Sequence, residues 1–156
     1  MRKALALGAG ALLLVLANWA VFERERQLAE GRVVLLELAP VDPRSLMQGD
    51  YMALRFQLAE RVGERRTAGR GDFSDDFRIP LQLDARRVAS LGTAADALRL
   101  RYRIRNREVW LGTNAYFFEE GSAERYTAAR FGEFRLDRTS GEAILVGLCD
   151  AQLRRL

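Results

Sequence analysis

The chain opens with a long apolar stretch and then changes rhythm. From Ala4 to Phe22 no residue is charged, a run of 19 positions rich in Leu and Ala. As a helix rising about 1.5 Å per residue it would be roughly 28 Å long, close to the ~30 Å hydrocarbon core of a bilayer. Asn18 is its one strongly polar member, and Trp19 beside it is a residue type that settles at headgroup level. Glu23-Arg24-Glu25-Arg26 ends the run, helix-forming composition continues to Glu30, and Gly31 is a natural stop. The stretch has no polar face, so it does not read as the amphipathic helix of a soluble core. Two readings remain. One is an uncleaved anchor, favoured by the apolar residues that continue beyond Ala17; the other is a signal peptide cleaved after Val15-Leu16-Ala17. Both put the following chain outside the cytoplasm, with Arg2 and Lys3 on the cytoplasmic side.

Beyond Gly31 the period shortens to two. Arg32–Ala39 predicts a buried strand between Gly31 and Pro40. Pro40–Gly49 carries two prolines and Asp42 and predicts a loop. Asp50–Leu58 alternates, with Met52, Leu54, Phe56 and Leu58 on one face and Tyr51, Ala53, Arg55 and Gln57 on the other, which predicts a half-buried strand. Glu60–Asp76, polar and glycine-bearing, predicts a long exposed loop. Phe77–Leu83 is a strand expected at a sheet edge because of Pro80, and Val88–Asp96 a turn or short helix. In Ala97–Arg105 the alternation is sharpest: Leu98, Leu100, Tyr102 and Ile104 share a dry side, and Arg99, Arg101, Arg103 and Arg105 share a cationic one. Glu108–Leu111 and Ala115–Phe118 are short strands around Gly112, and Ser122–Arg130 is a helix with Ser122 as N-cap. Phe131–Asp137 and Ala143–Cys149 are strands joined by a hairpin turn through Asp137–Gly141. The expected architecture is an anchor helix over residues 1–30 and one extracytoplasmic, mainly β domain over 31–156, an antiparallel sheet or sandwich with one short helix.

Composition narrows the chemistry. Histidine is absent, Lys3 is the only lysine and Cys149 the only cysteine. That excludes imidazole metal sites, His-based triads, Cys-rich zinc sites and an intrachain disulfide. We expect no cofactor and no metal site, and read Cys149 as a small buried hydrophobe rather than an intermolecular bridge. The net charge is only +4; the pI near 9.8 reflects the dominance of arginine among the bases and is a poor case for nucleic acid. The compartment and the weak aromatic interleaving of the basic residues also argue against nucleic acid.

Three groups of residues are candidates for a site. The first is the segment Asp42 to Tyr51, where Pro43 stiffens the loop, Gly49 permits a tight turn, and Arg44 stands within pairing range in sequence of Asp42 and Asp50. It reads either as a structured turn feeding a strand or as a rigid loop that offers Arg44, Asp50 and Tyr51 to a ligand or partner. The second is the arginine stripe 99, 101, 103 and 105. It reads as a solvated face paired with acids of neighbouring strands, as a surface lying on anionic headgroups near the anchor, or as a dock for an acidic partner. The third is the carboxylates. Glu119 and Glu120 follow the aromatic Tyr116-Phe117-Phe118, and Asp75 adjoins Asp76; neighbours on a strand point to opposite faces, so neither pair readily serves one catalytic or oxygen-ligand site.

The segment Gly49-Asp50-Tyr51-Met52-Ala53-Leu54-Arg55-Phe56 resembles the signature of the GDYXXLXY protein family: Gly, Asp, Tyr and Leu stand in place, and Phe56 replaces the final Tyr, keeping the ring without the hydroxyl. Asp42-Pro43-Arg44 and Tyr116-Phe117-Phe118-Glu119-Glu120-Gly121 are similar to further segments of that family. The resemblance implies a membrane-anchored protein of the bacterial envelope, inner-membrane and single-pass, accompanied by a multi-pass membrane protein, and implies nothing catalytic. Ser45 ahead of Gly49-Asp50 is faintly similar to type I signal peptidases, but no lysine follows Lys3 to activate a serine, and the spacing is too short. The reading that follows is a binding or assembly module acting through the Asp42–Tyr51 loop or the arginine face. Behind it come a binder of an anionic small molecule or glycan using Arg44 and Tyr116, and then an envelope enzyme built on Asp50, Tyr51 and Glu119 or Glu120.

Overall fold

A computed structural model of the chain describes residues 2–40, 47–48, 51–68, 77–93 and 98–156. Asp42, Arg44, Ser45, Gly49, Asp50, Asp75 and Asp76 lie outside the described residues. Helix α1 runs unbroken from Arg2 to Glu30. It is long and apolar enough to cross a membrane, with a span from Leu7 to Glu30 of mean hydropathy 1.3 in which residues 7–22 are all exposed. Leu12, Leu16, Trp19 and Phe22 are all exposed along it.

The rest is built from short antiparallel strands, and mainly β with one N-terminal helix describes the fold. Strands β1 (Arg32–Glu37), β10 (Phe131–Leu136) and β11 (Ala143–Cys149) form one sheet in the order β1-β10-β11. Arg32 lies opposite Leu136 and Phe131 opposite Cys149. A register shift between Glu133 and Phe134 leaves Val146 as the extra residue of a bulge. A second sheet has β2 (Met47–Gln48), β3 (Tyr51–Ala53) and β9 (Ala115–Phe117) in the order β2-β3-β9. A third has β4 (Arg78–Leu83), β5 (Ala89–Leu91) and β6 (Arg99–Arg101) in the order β5-β4-β6, and β7 (Arg103–Arg105) pairs β8 (Glu108–Trp110) as a hairpin. Single bridges stitch the pieces together, Leu35 to Val88 and Leu38 to Phe56.

Several expectations need correction. The alternation over Asp50–Leu58 holds for burial, since Met52, Leu54, Phe56 and Leu58 are all nearly inaccessible, but the strand stops at Ala53. Helix α2 (Gln57–Thr67) begins where a continued strand was expected and occupies half of the expected Glu60–Asp76 loop. Only Leu58 and Val62, one turn apart, are buried on it, which is why its composition reads as loop. Glu60 in its first turn and Arg65 and Arg66 in its last complement the helix dipole. Residues 89–91 form a strand rather than a turn or helix. Pro80 sits in the central strand of its sheet, not at an edge. Its missing N–H faces the end of β5, where Gly92 N–H donates to Pro80 O at 2.9 Å. Ala97–Arg105 is not one strand but two, divided at Tyr102. The helix expected over Ser122–Arg130 is a single turn, α3 (Ala123–Tyr126), and the Ser122 side chain makes no capping bond.

One core joins the sheets to α2. Phe56 and Phe134 meet edge to face, ring centroids 5.4 Å apart, with Leu36, Leu54, Val62, Ile79, Leu100, Leu111 and Leu148 packed around them. Gly132 leaves the room this needs: an added Cβ would lie 3.0 Å from both the Phe56 and Phe134 rings. Cys149 is buried at 2% exposure.

Candidate functional site

Two surfaces gather the candidate side chains. The first is made by the pairing of β3 with β9, which sets Tyr51 opposite Phe117 and Met52 opposite Tyr116. Because side chains alternate along a strand, this register sorts them. Tyr51 and Phe117 project together on the outer face, ring centroids 5.7 Å apart, and Phe117 is 74% exposed. Met52 and Tyr116 turn the other way. Tyr116 is half-buried and packs edge-on against Tyr126 at 5.2 Å, while Phe118 stacks on Tyr126 at 5.1 Å. Burial, then hydrogen bonding with Tyr126, pushes the Tyr116 phenol above its usual value, so it stays a neutral donor. Glu119 and Glu120 follow as exposed residues of the turn, where Ser122 N–H donates to Glu119 O and Gly121 adopts φ +80°. Within the signature, then, Tyr51 is a surface residue, whereas Leu54 and Phe56 are core.

The second surface is the arginine stripe, and it is bent. At Tyr102 the chain leaves β6: its N–H donates to Phe77 O at 2.9 Å, its hydroxyl accepts from Arg66 at 2.7 Å, and its ring meets Phe77 edge-on. Ile104, expected on the dry side, is 41% exposed. Arg101 and Arg103 converge from either side of this break on Glu142, at 3.4 and 3.9 Å, and Arg24 of α1 reaches the same carboxylate at 2.9 Å. Arg105 lies over the Trp110 ring at 5.0 Å. Arg99 faces Pro80 across β6 and β4 and is half-buried. Arg24, Arg101, Arg103 and Arg105 line a cleft of about 250 Å³ whose floor includes Trp110, Gly112 and Glu142.

Arg24, Trp110 and Glu142 were not among the candidates read from the sequence. Glu142 is 41 residues from Arg101 and 118 from Arg24, so no short-range signal links it to them, whereas Trp110 is near in sequence, opposite Arg103 in the β7–β8 hairpin. Among the described residues, no group of three His, Cys, Asp or Glu side chains is placed to hold a metal ion.

The geometry adds meaning to the sequence resemblance. Two of the three segments that carry it, 49–56 and 116–121, contribute to β3 and β9, which lie side by side although 65 positions separate Tyr51 from Tyr116. No curated protein and no solved structure matches the chain. The GDYXXLXY protein family model matches residues 13–148, most of the length and including the second half of α1, so the chain belongs to the GDYXXLXY protein family.

Proposed function

We propose that this protein is a membrane-anchored, extracytoplasmic binding or assembly module whose signature surface docks a partner membrane protein. Helix α1 is the anchor, retained rather than cleaved, with Arg2 and Lys3 on the cytoplasmic side and residues 31–156 in the periplasm of a bacterial envelope. Support for the anchor is energetic. Nine large apolar side chains from Leu7 to Phe22, each 56% exposed or more, are not covered by the described residues. At roughly 1.5 kcal/mol or more for each such side chain, leaving them in water forgoes on the order of 10 kcal/mol.

The observation that carries the docking reading is Phe117. It stands 74% exposed beside Tyr51, on strands whose opposite face turns Met52 into the core and packs the half-buried Tyr116 against it. An aromatic pair with this exposure has the makeup of an interface anchor, and the resemblance to the family implies a multi-pass partner.

The test is native mass spectrometry of the full-length protein drawn gently from its own membranes, beside Phe117→Ser and Arg65→Gln variants. A partner of fixed stoichiometry, retained by wild type and Arg65→Gln and lost from Phe117→Ser, supports the reading. A lone monomer under all conditions, or a partner indifferent to Phe117, contradicts it.

A further inference from the structure

The cleft at the foot of α1 has a chemistry that docking through Phe117 does not use. Four guanidiniums line it against the single carboxylate of Glu142. Glu142 is shared among Arg24, Arg101 and Arg103, so one negative charge cannot neutralise the group. A second hollow of about 620 Å³ shares Arg24 and Glu142 with the first and extends to Ala20, inside the apolar run. Charges in that hollow are balanced, with Arg24, Arg26 and Arg78 facing Glu23, Asp137 and Glu142. The cationic excess is therefore confined to the first cleft, and the path from it leads down to the apolar run.

We propose that this cleft binds the phosphate headgroup of an anionic phospholipid, its acyl chains running along α1 past Ala20. The inference rests on α1 being the anchor. Guanidinium forks match phosphate oxygens in pairs, and Arg24 lies just beyond the apolar run, at the depth where headgroups sit. Trp110 adds an amphipathic ring under Arg105, and its Nε1–H is buried without an acceptor among the described residues. A free phosphate would satisfy the same arginines but has no use for the hollow that reaches Ala20. The bound lipid would fix the height and tilt of the domain over the bilayer.

The test uses full-length protein. Carbonate extraction first asks whether it is in the membrane; release into the soluble fraction overturns both the anchor and this inference. Protein retained in membranes is then purified in mild detergent and titrated with phosphatidylglycerol, phosphatidylcholine, inorganic phosphate and a polyglutamate peptide, with adducts read by native mass spectrometry. Wild type is expected to hold phosphatidylglycerol at least tenfold better than phosphatidylcholine, and inorganic phosphate or polyglutamate should displace it poorly. Because each arginine near an anionic surface contributes about fivefold, the combined Arg101→Gln, Arg103→Gln and Arg105→Gln variant should lose more than tenfold and Arg65→Gln nothing. Should the combined variant misfold by circular dichroism, Arg105→Gln alone decides, with a loss of about fivefold. Equal retention of the two lipids, indifference to Arg105, or ready displacement by phosphate or polyglutamate overturns the lipid site while leaving the anchor standing.

Discussion

The side-chain amide of Gln27 donates to the backbone oxygen of Glu142 at 2.8 Å, tying the last turns of α1 to the β10–β11 hairpin. The same nitrogen reaches Arg135 O at 3.2 Å, and the residue is 8% exposed. Gly31 follows at once, where an added Cβ would collide with the Gln27 carbonyl. Helix and sheet are joined here without a linker, so the orientation of α1 is built into the packing of the domain.

Gln27→Ala would remove both of these bonds from a part-buried seam, although Glu142 O keeps the Asp137 N–H at 2.9 Å. We expect a loss of about 1–3 kcal/mol, read as a lowered urea midpoint for the full-length protein in micelles, with an unchanged slope.

Phe56 occupies the signature position where the family carries Tyr, and here it is 2% exposed against Phe134. Phe56→Ala should cost about 3–5 kcal/mol. Thermal unfolding followed by circular dichroism checks this, and a shift no larger than that of an exposed substitution such as Arg65→Ala would show that the ring is not part of the core.

Cys149 ends β11, opposite Phe131, and is buried there at 2% exposure. Burial, and then the Glu133 carboxylate 4.0 Å from Sγ, raises its pKa, so the protonated, unreactive thiol persists at neutral pH. The folded protein should resist maleimide over a time in which the denatured chain labels completely, and it should form no disulfide-linked dimer under oxidation.

Asp137 accepts from Ser140 N–H at 2.6 Å, Ser140 Oγ–H at 3.0 Å and Thr139 N–H at 2.9 Å. The Ser140 amide, outweighing the opposing effect of burial, holds its carboxyl below the ordinary value of 3.8, with Thr139 and Arg26 acting in the same direction. Its folded pKa is thus lower than its unfolded one, and the unfolded chain binds more protons in between. The stability it contributes is complete above the ordinary aspartate range and is lost as pH falls through the folded value. Asp84 and Asp150 are shifted in the same direction, each chiefly by one backbone amide. Unfolding midpoints measured from pH 7 to 2 should be flat and then fall on the acid side, and Asp137→Asn should make that fall shallower.

Where burial follows a short period, the sequence is readable residue by residue: strand β10, with Gly132, Phe134 and Leu136 inward, and the inward set Met52, Leu54, Phe56 and Leu58 are where the alternation puts them. Backbone state was harder. Leu58 belongs equally to a period-two series from Met52 and to a helical pair with Val62, and the choice between them is made by the core that Val62 enters. The break at Tyr102 is likewise tertiary, set by Phe77 and Arg66 and followed by the hairpin turn at Asn106 and Arg107, both at positive φ. The site divides in the same way. Local pattern finds the four arginines, but the Glu142 carboxylate that Arg101 and Arg103 share lies far along the chain, and the Trp110 ring beneath Arg105 is brought there by the β7–β8 hairpin.

The most direct test of the account is the sidedness of the domain. A Cys149→Ala, Arg86→Cys variant places a single thiol on the exposed turn between β4 and β5. In intact spheroplasts a membrane-impermeant maleimide is expected to label it fully before lysis, on a protein whose mass shows that residues 4–22 are retained. Labelling only after lysis, or a full-length chain recovered in the soluble fraction, would contradict the account.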